Sequence, residues 1–278
     1  MPALKPGIHR GIPFADYLAL DAVNATKLKA FRRTRAHARQ ELMHPRDDTP
    51  ALRTGDAAHV AILEPERFQR EYVRQPEFNR RTNAGKLAAG EWAAAHPNLA
   101  ALLPGEWDLA CALRDAAWKH PLARELLSGA GRNELTAIWH DEASDLLCKC
   151  RADRLTTYRG DSCVVDVKTA DDAGDHAFAA AICKYQYHTQ AAWYLDGLAT
   201  LAPRRRRFLW LAVEKRPPHC VRVLEPEEPD LEEGRRQYRR ALDAYADGMR
   251  TGEWPGYPVG IDPINLPRWG YEMTSPDF

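Results

Sequence analysis

An α/β fold with a helical first half and a sheet-bearing second half is what this sequence predicts. Three observations lead there: apolar residues at helical spacing before residue 130, three short β-rich runs after Gly131, and a long charged amphipathic segment near the end. The 278 residues are 45% hydrophobic and 28% charged, ordinary for a chain that buries a core, and no internal repeat or low-complexity linker divides them. One domain over 1–278 is expected, with a mostly helical portion 1–130, a sheet core 131–225 and a C-terminal helix and tail 226–278.

Taken in order, Asn24 or Thr26 is placed to cap a helix running through Phe31. Thr54 to Leu63 carries alanines and apolar residues at helical spacing and stops at Glu64-Pro65. QPEFNRRTNAG, from Gln75 to Gly85, is polar and reads as a loop. Helical patterns return from Gly85 to Ala95 and from Glu106 to Leu127. TAIWH, LLCKCRA and SCVVDVK, separated by the turns HDEASD and TTYRGD, predict an antiparallel meander. A helix from Tyr187 to Leu198 comes next, then two strands, RFLWLAVEK and HCVRVLE, joined at Pro217-Pro218. Glu227 to Met249 is a charged amphipathic helix, and EWPGYPVGIDPINLPRW is expected to pack as an irregular strap.

No stretch approaches the roughly 20 apolar residues of a membrane span. The start, MPALKPGIHRGIPF, lacks the apolar run of a secretory signal, so a cytoplasmic location is expected. Lys plus Arg and Asp plus Glu both total 39, so the bulk charge offers no attraction for nucleic acid, and any such partner must be met by local charge. Clusters exist at Arg32, Arg33, Arg35 and Arg39, at Arg80, Arg81 and Lys86, and from Arg235 to Arg240, each a solvated face or a contact patch. Arg204 to Arg207 reads as loop charge. The six cysteines form no CxxC pair and read as reduced thiols, which argues against an iron-sulfur cluster.

Asp166 and Lys168 stand two apart on a strand and project from one face. Asp153 ends the preceding strand, where a hairpin brings it beside Asp166. Two converging carboxylates suit a hard divalent cation such as magnesium, which assists phosphate hydrolysis, and Lys168 adds a point charge for the phosphate. The plainer alternative is a same-face ion pair on a sheet edge. Val164, Val165 and Val167 speak against it, because they set the pair at the end of a buried strand.

The segments TGDAAHVAILEPERF, PEFNRRTNAGK, CKCRADRL, VVDVKTADDA, KYQYHTQAAWYLDGL and EWP followed by LPRW resemble, in order and spacing, the RecE-like nuclease family (exodeoxyribonuclease VIII) of the PD-(D/E)XK superfamily. The resemblance implies a restriction-endonuclease-like core, a central mixed sheet flanked by helices. It implies metal ligation by His59, Asp153 and Asp166, with Glu134 as a further acidic residue opening the first strand. Lys168 is the implied catalytic lysine, and Gln190 and Tyr194 match a QxxxY helix that faces the sheet end. A packed helix residue is the other reading of His59. One departure is Arg151-Ala152-Asp153, where the family's pattern has proline before the acid.

Similarity to lambda exonuclease, a relative of this family, points to Thr26 as a holder of the 5′-phosphate, with a plain helix cap as the alternative. Arg80, Arg81 and Lys86 are expected to contact the DNA backbone. The implied activity is magnesium-dependent (or manganese-dependent) 5′-to-3′ degradation of one strand of linear double-stranded DNA, leaving a 3′ single-stranded tail. Implied partners are double-stranded DNA ends, a RecT-like single-strand annealing protein, and further copies of the chain in a ring-shaped homo-oligomer. A catalytically silent DNA- or protein-binding module and a RecB-like single-strand or 3′-directed nuclease are the competing readings.

Overall fold

The computed structural model describes residues 4–44 and 49–267. A short edge strand, β1 (Gly7–His9), leads to α1 (Phe14–Ala19) and α2 (Ala25–Lys29). Asn24 caps α2, its side chain accepting the Lys27 N–H at 2.8 Å, so Thr26 lies inside the helix rather than at its cap. A 3-10 turn over Ala30–Arg32 follows, then α3 (Arg35–Met43) and α4 (Pro50–Leu63), capped by Thr34 and Thr49. Pro65 opens α5 (Pro65–Glu71) directly where α4 ends, a position that needs no N–H. Two short strands, β2 (Tyr72–Arg74) and β3 (Ala100–Leu102), pair in parallel around α6 (Asn83–Ala95). Prolines again start α7 (Pro104–Lys119) and α8 (Pro121–Ser128).

The expected meander is present as β4 (Gly131–Asp141), β5 (Leu146–Tyr158) and β6 (Asp161–Ala170), all antiparallel. Where one helix was expected there are two, α9 (Asp175–Tyr185) and α10 (Tyr187–Leu201), broken at Gln186 in the left-handed region with φ 53°. They carry the chain across to β7 (Arg207–Glu214), parallel to β6, and β8 (Val221–Leu224) pairs antiparallel beyond it. The sheet order is therefore β1-β4-β5-β6-β7-β8, mixed, with β6 and β7 its parallel pair. The last helix among the described residues is α11 (Glu228–Thr251).

Helices cover both faces of the sheet. On one, Trp139, Cys148, Cys150, Phe208 and Trp210 pack with Trp193 of α10 and Leu242 of α11. On the other, Val165, Val167, Leu209 and Leu211 pack with Ile62 of α4, Leu113 of α7 and Leu126 of α8. Gly234 allows α11 to lie close on α10, since a Cβ there would stand 2.5 Å from the His188 carbonyl oxygen. No helix among the described residues is long and apolar enough to cross a membrane.

All six cysteines are free thiols, three of them buried in the sheet. Arg204 and Arg205 are exposed in the loop before β7, as expected, but Arg206 in the same loop is buried and donates to the Ala202 and Arg204 carbonyls, and Arg207 pairs with Glu225 from within β7. The tail packs as a strap only at its start, where Trp254 meets Phe31 and Tyr245 and Pro255 accepts the Ala36 N–H. Val259, Ile261 and Ile264 beyond it are fully exposed, and Arg268 and Trp269 of the LPRW match lie outside the described residues.

Candidate active site

The site forms where two strands change their habit together. Leu135 and Ala152 face the α10 side of the sheet, whereas Asn133 and Arg154 turn to the opposite side, bonding to Leu63 and Leu126 carbonyls of α4 and α8. The alternation of faces slips by one at Glu134 and Asp153, which drop out of the β4–β5 ladder between those flanking pairs. Glu134 absorbs the slip with φ 52°, a left-handed conformation that a non-glycine residue holds only under constraint. Beside it, the β5–β6 ladder ends at Arg154 and Val165, so Asp153 stands in the opening between the two strands.

Asp153 fills that opening. Its Oδ2 accepts the Val167 N–H at 2.7 Å and lies 2.7 Å from Nε2 of His59, which α4 delivers from the far side. His59 Nδ1 is 3.7 Å from Glu134 Oε1, and the other Glu134 oxygen accepts from Arg151. Asp166, on β6, is 1% exposed and meets Lys168 Nζ at 2.6 Å, as the two-residue spacing predicts for one face. Gln190 of α10 donates to Asp166 Oδ1 at 2.9 Å and its carbonyl oxygen accepts from Lys168 at 3.4 Å. One amide thus fixes both ends of the pair.

Charge is balanced within the cluster. Burial pushes the Asp166 carboxyl up to about 6, with the Asp153 charge adding to it and Lys168 opposing. Burial also works against the Asp153 anion, but His59 and Lys168 outweigh it and hold that group below the ordinary carboxylate range. Burial disfavours the His59 cation too, yet Asp153 and Glu134 push its pKa up to about 9. Lys168 is likewise raised, because Asp166 and Asp153 overcome the cost of burying it. Glu134 is raised, chiefly by burial.

Two neighbours went unrecognised in the sequence. The Lys168 ammonium sits 4.6 Å from the centre of the Tyr187 ring, and Lys29 of α2 reaches the same ring at 5.8 Å. Burial, then repulsion by Lys168, lowers Lys29 to about 8. Tyr187 lies three residues before Gln190 on α10, so helical spacing from the recognised glutamine was the available signal. Tyr194, one turn after Gln190, is buried with its ring 6.3 Å from Phe208, and its hydroxyl feels the charges of Asp153 and Asp166. Thr26 is exposed on α2, one turn before Lys29, and Arg80, Arg81 and Lys86 are exposed around the Thr82 cap of α6.

The donor set fits a hard cation in kind, since Asp153, Asp166 and Glu134 offer carboxylate oxygens. Asp166 Oδ2 is buried and faces the Lys168 ammonium at 2.6 Å, so the ion pair satisfies that oxygen. Among the described residues, however, no three His, Cys, Asp or Glu side chains stand in ready metal-holding geometry, and Asp153 Oδ2 is engaged by His59.

Comparisons with known proteins agree with this architecture. A solved chain from Eubacterium rectale named "Putative exonuclease" superposes with a TM-score of 0.57 at 12% identity, over 91% of this chain and 97% of that one. At that identity the likeness speaks for the fold alone. A second solved chain, SSO0001, aligns at a TM-score of 0.31 and 14% identity, over 78% of this chain and 82% of its own, too low to carry an argument. No curated protein matches. The family described as "PDDEXK-like domain of unknown function (DUF3799)" matches residues 24–266. With its mixed sheet between helices and acidic residues meeting at a strand opening, the chain belongs to that family and has the PD-(D/E)XK, restriction-endonuclease-like fold.

Proposed function

We propose that the chain is a magnesium-dependent 5′-to-3′ exodeoxyribonuclease that degrades one strand of linear double-stranded DNA and leaves a 3′ single-stranded tail. The observation that carries the reading is the meeting of Asp153, Asp166 and Lys168 where β5 parts from β6. The exonuclease name of the Eubacterium rectale chain and the nuclease superfamily of the fold support it.

In this reading Asp153 and Asp166 would hold magnesium, or manganese, with Glu134 and His59 as further candidate ligands. The cation supplies Lewis acidity to the scissile phosphate. Lys168, kept charged by Asp166, stands ready for the phosphate's developing negative charge. Gln190 fixes the rotamers of Asp166 and Lys168, and Tyr187 flanks the ammonium. Tyr194 supports α10 from within the core. His59 holds its proton against Asp153 and orients that carboxylate. Thr26 and Lys29, on one side of α2, receive the 5′-phosphate, while Arg80, Arg81 and Lys86 touch the duplex backbone.

Polarity, a RecT-like annealing partner, a ring-shaped homo-oligomer and a cytoplasmic setting follow from the resemblance to the RecE-like family and belong to the same proposal. The complete ion pairing of Asp153 with His59 and of Asp166 with Lys168 favours a second reading, a DNA-holding module that does not cut. Linear duplex carrying a label at either the 5′ or the 3′ end separates these. Early release of the 5′ label in magnesium supports the proposal, early release of the 3′ label overturns the polarity, and retention of both labels favours the silent module.

A further inference from the structure

A second feature of the molecule lies one helical turn from this site. A cleft of about 1050 Å³ opens between α11 and the 3-10 turn that continues α2. Arg32, Arg33 and Arg35 line one wall and Arg236, Arg239 and Arg240 the other, against only two acidic residues, Asp243 and Asp247. Part of that charge is used internally: Arg35 pairs with Asp247, and Arg239 with Asp141. Arg236 pairs with Glu233. Arg33 and Arg240 are exposed, and no ion pair engages either among the described residues. In a chain with no net charge, this is a concentrated positive surface.

We infer that this cleft binds the sugar-phosphate backbone of a single nucleic-acid strand leading to or from the active site. Continuity supports a polymer. α2 carries Lys29 to the Tyr187 ring beside Lys168, and its continuation carries Arg32 and Arg33 to the cleft. Gln186, next to Tyr187, lines the cleft, and its Oε1 is buried without a partner. Arg236 and Arg240 stand one turn apart on α11, about 6 Å, so they meet a repeating row of charges. The opening lies between elements of one small domain and suits one extended strand rather than a duplex. The inference rests on the nuclease reading for the route of the strand, and its binding test is independent of cutting.

The test is fluorescence anisotropy of a labelled oligothymidylate of about 12 nucleotides, in chelator, across a salt series. Wild type is compared with the double variant Arg33→Glu/Arg240→Glu and with Arg33→Lys/Arg240→Lys. Charge reversal is expected to weaken binding at least tenfold at low salt. It is also expected to reduce the slope of log affinity against log salt by about 1.4, two contacts at about 0.7 each, with the lysine variant close to wild type. Unchanged affinity and slope on reversal overturn the inference. So does equal competition by polyglutamate at matched charge, which would mark a surface for acidic proteins. Wild type that binds the oligonucleotide but never cuts duplex in magnesium removes the nuclease reading and leaves the cleft supported.

Discussion

Asp153 accepts the backbone N–H of Val167 at 2.7 Å, so a side-chain carboxylate takes the place of a main-chain acceptor where β5 leaves β6. The same oxygen faces His59. Asp153 therefore closes the sheet as well as supplying charge. Asp153→Ala leaves a buried N–H without a partner and His59 without its anion, and is expected to destabilise the fold by about 2–4 kcal/mol. Asp153→Asn keeps an acceptor and should lose less than half of that. Urea unfolding midpoints check the order; equal midpoints for the two variants contradict it.

Glu134 offers a cleaner test of the kink. Its φ of 52° is natural for glycine and unfavourable for any residue with a Cβ. Glu134→Gly and Glu134→Ala lose the same carboxylate, so comparing them isolates the backbone. The glycine variant is predicted to be more stable than the alanine variant by about 1 kcal/mol, read by thermal or chemical denaturation. The reverse order means that the strands do not switch faces here.

Lys149 is 1% exposed, and its ammonium donates to the Tyr17 and Leu20 carbonyl oxygens at 2.7 Å each, tying the end of α1 to β5. Burial lowers its pKa to about 8. Lys149→Met takes one donor from each carbonyl, leaving them the Leu20 and Ala22 N–H groups, and should cost about 1–2 kcal/mol while exposing residues 13–22 to protease before the rest of the chain unfolds. A fragment pattern identical to wild type argues against this anchoring role.

Arg239 donates to both oxygens of Asp141, and this pairing, with Ser144 helping and burial opposing, holds the Asp141 carboxyl down to about 2. A depressed folded-state pKa contributes stability that is present above the unfolded value, 3.8, and lost as pH falls toward 2. Because Arg239 is partly exposed, screening reduces the contribution to about 1–2 kcal/mol. Arg239→Met should flatten the stability profile between pH 4 and pH 2 by that amount. Parallel acid limbs for the two proteins refute the assignment.

Legibility in the sequence followed periodicity. The meander strands alternate or run apolar, and β6, β7, β8 and α11 lie close to their expected limits, whereas β4 begins five residues before TAIWH and β5 runs six residues beyond LLCKCRA, into the expected turn. Asp166 and Lys168 share a face because a two-residue spacing on a strand requires it. Gln186 was harder: nothing in KYQYH announces a left-handed residue, so the break before α10 and the helix α9 went unseen. The face switch at Glu134 and Asp153 was equally hidden, because it depends on two strands slipping together and neither carries glycine at that point. Lys29 and Tyr187 join the site through tertiary packing, which local pattern does not encode. Gln190 and Tyr194 were named through family resemblance; Gln190 bonds Asp166, and Tyr194 is buried within electrostatic reach of Asp153 and Asp166.

Digestion of linear, 5′-phosphorylated duplex by wild type and by Asp166→Asn, in magnesium and in chelator, addresses the hydrolytic site most directly. Asp166→Asn preserves the side-chain shape and removes the charge that Lys168 and Gln190 surround. The expected result is degradation by wild type in magnesium only, with the variant slower by at least a thousandfold yet still folded. Substrate left equally intact by both proteins, or degraded equally by both, would contradict hydrolysis at this site.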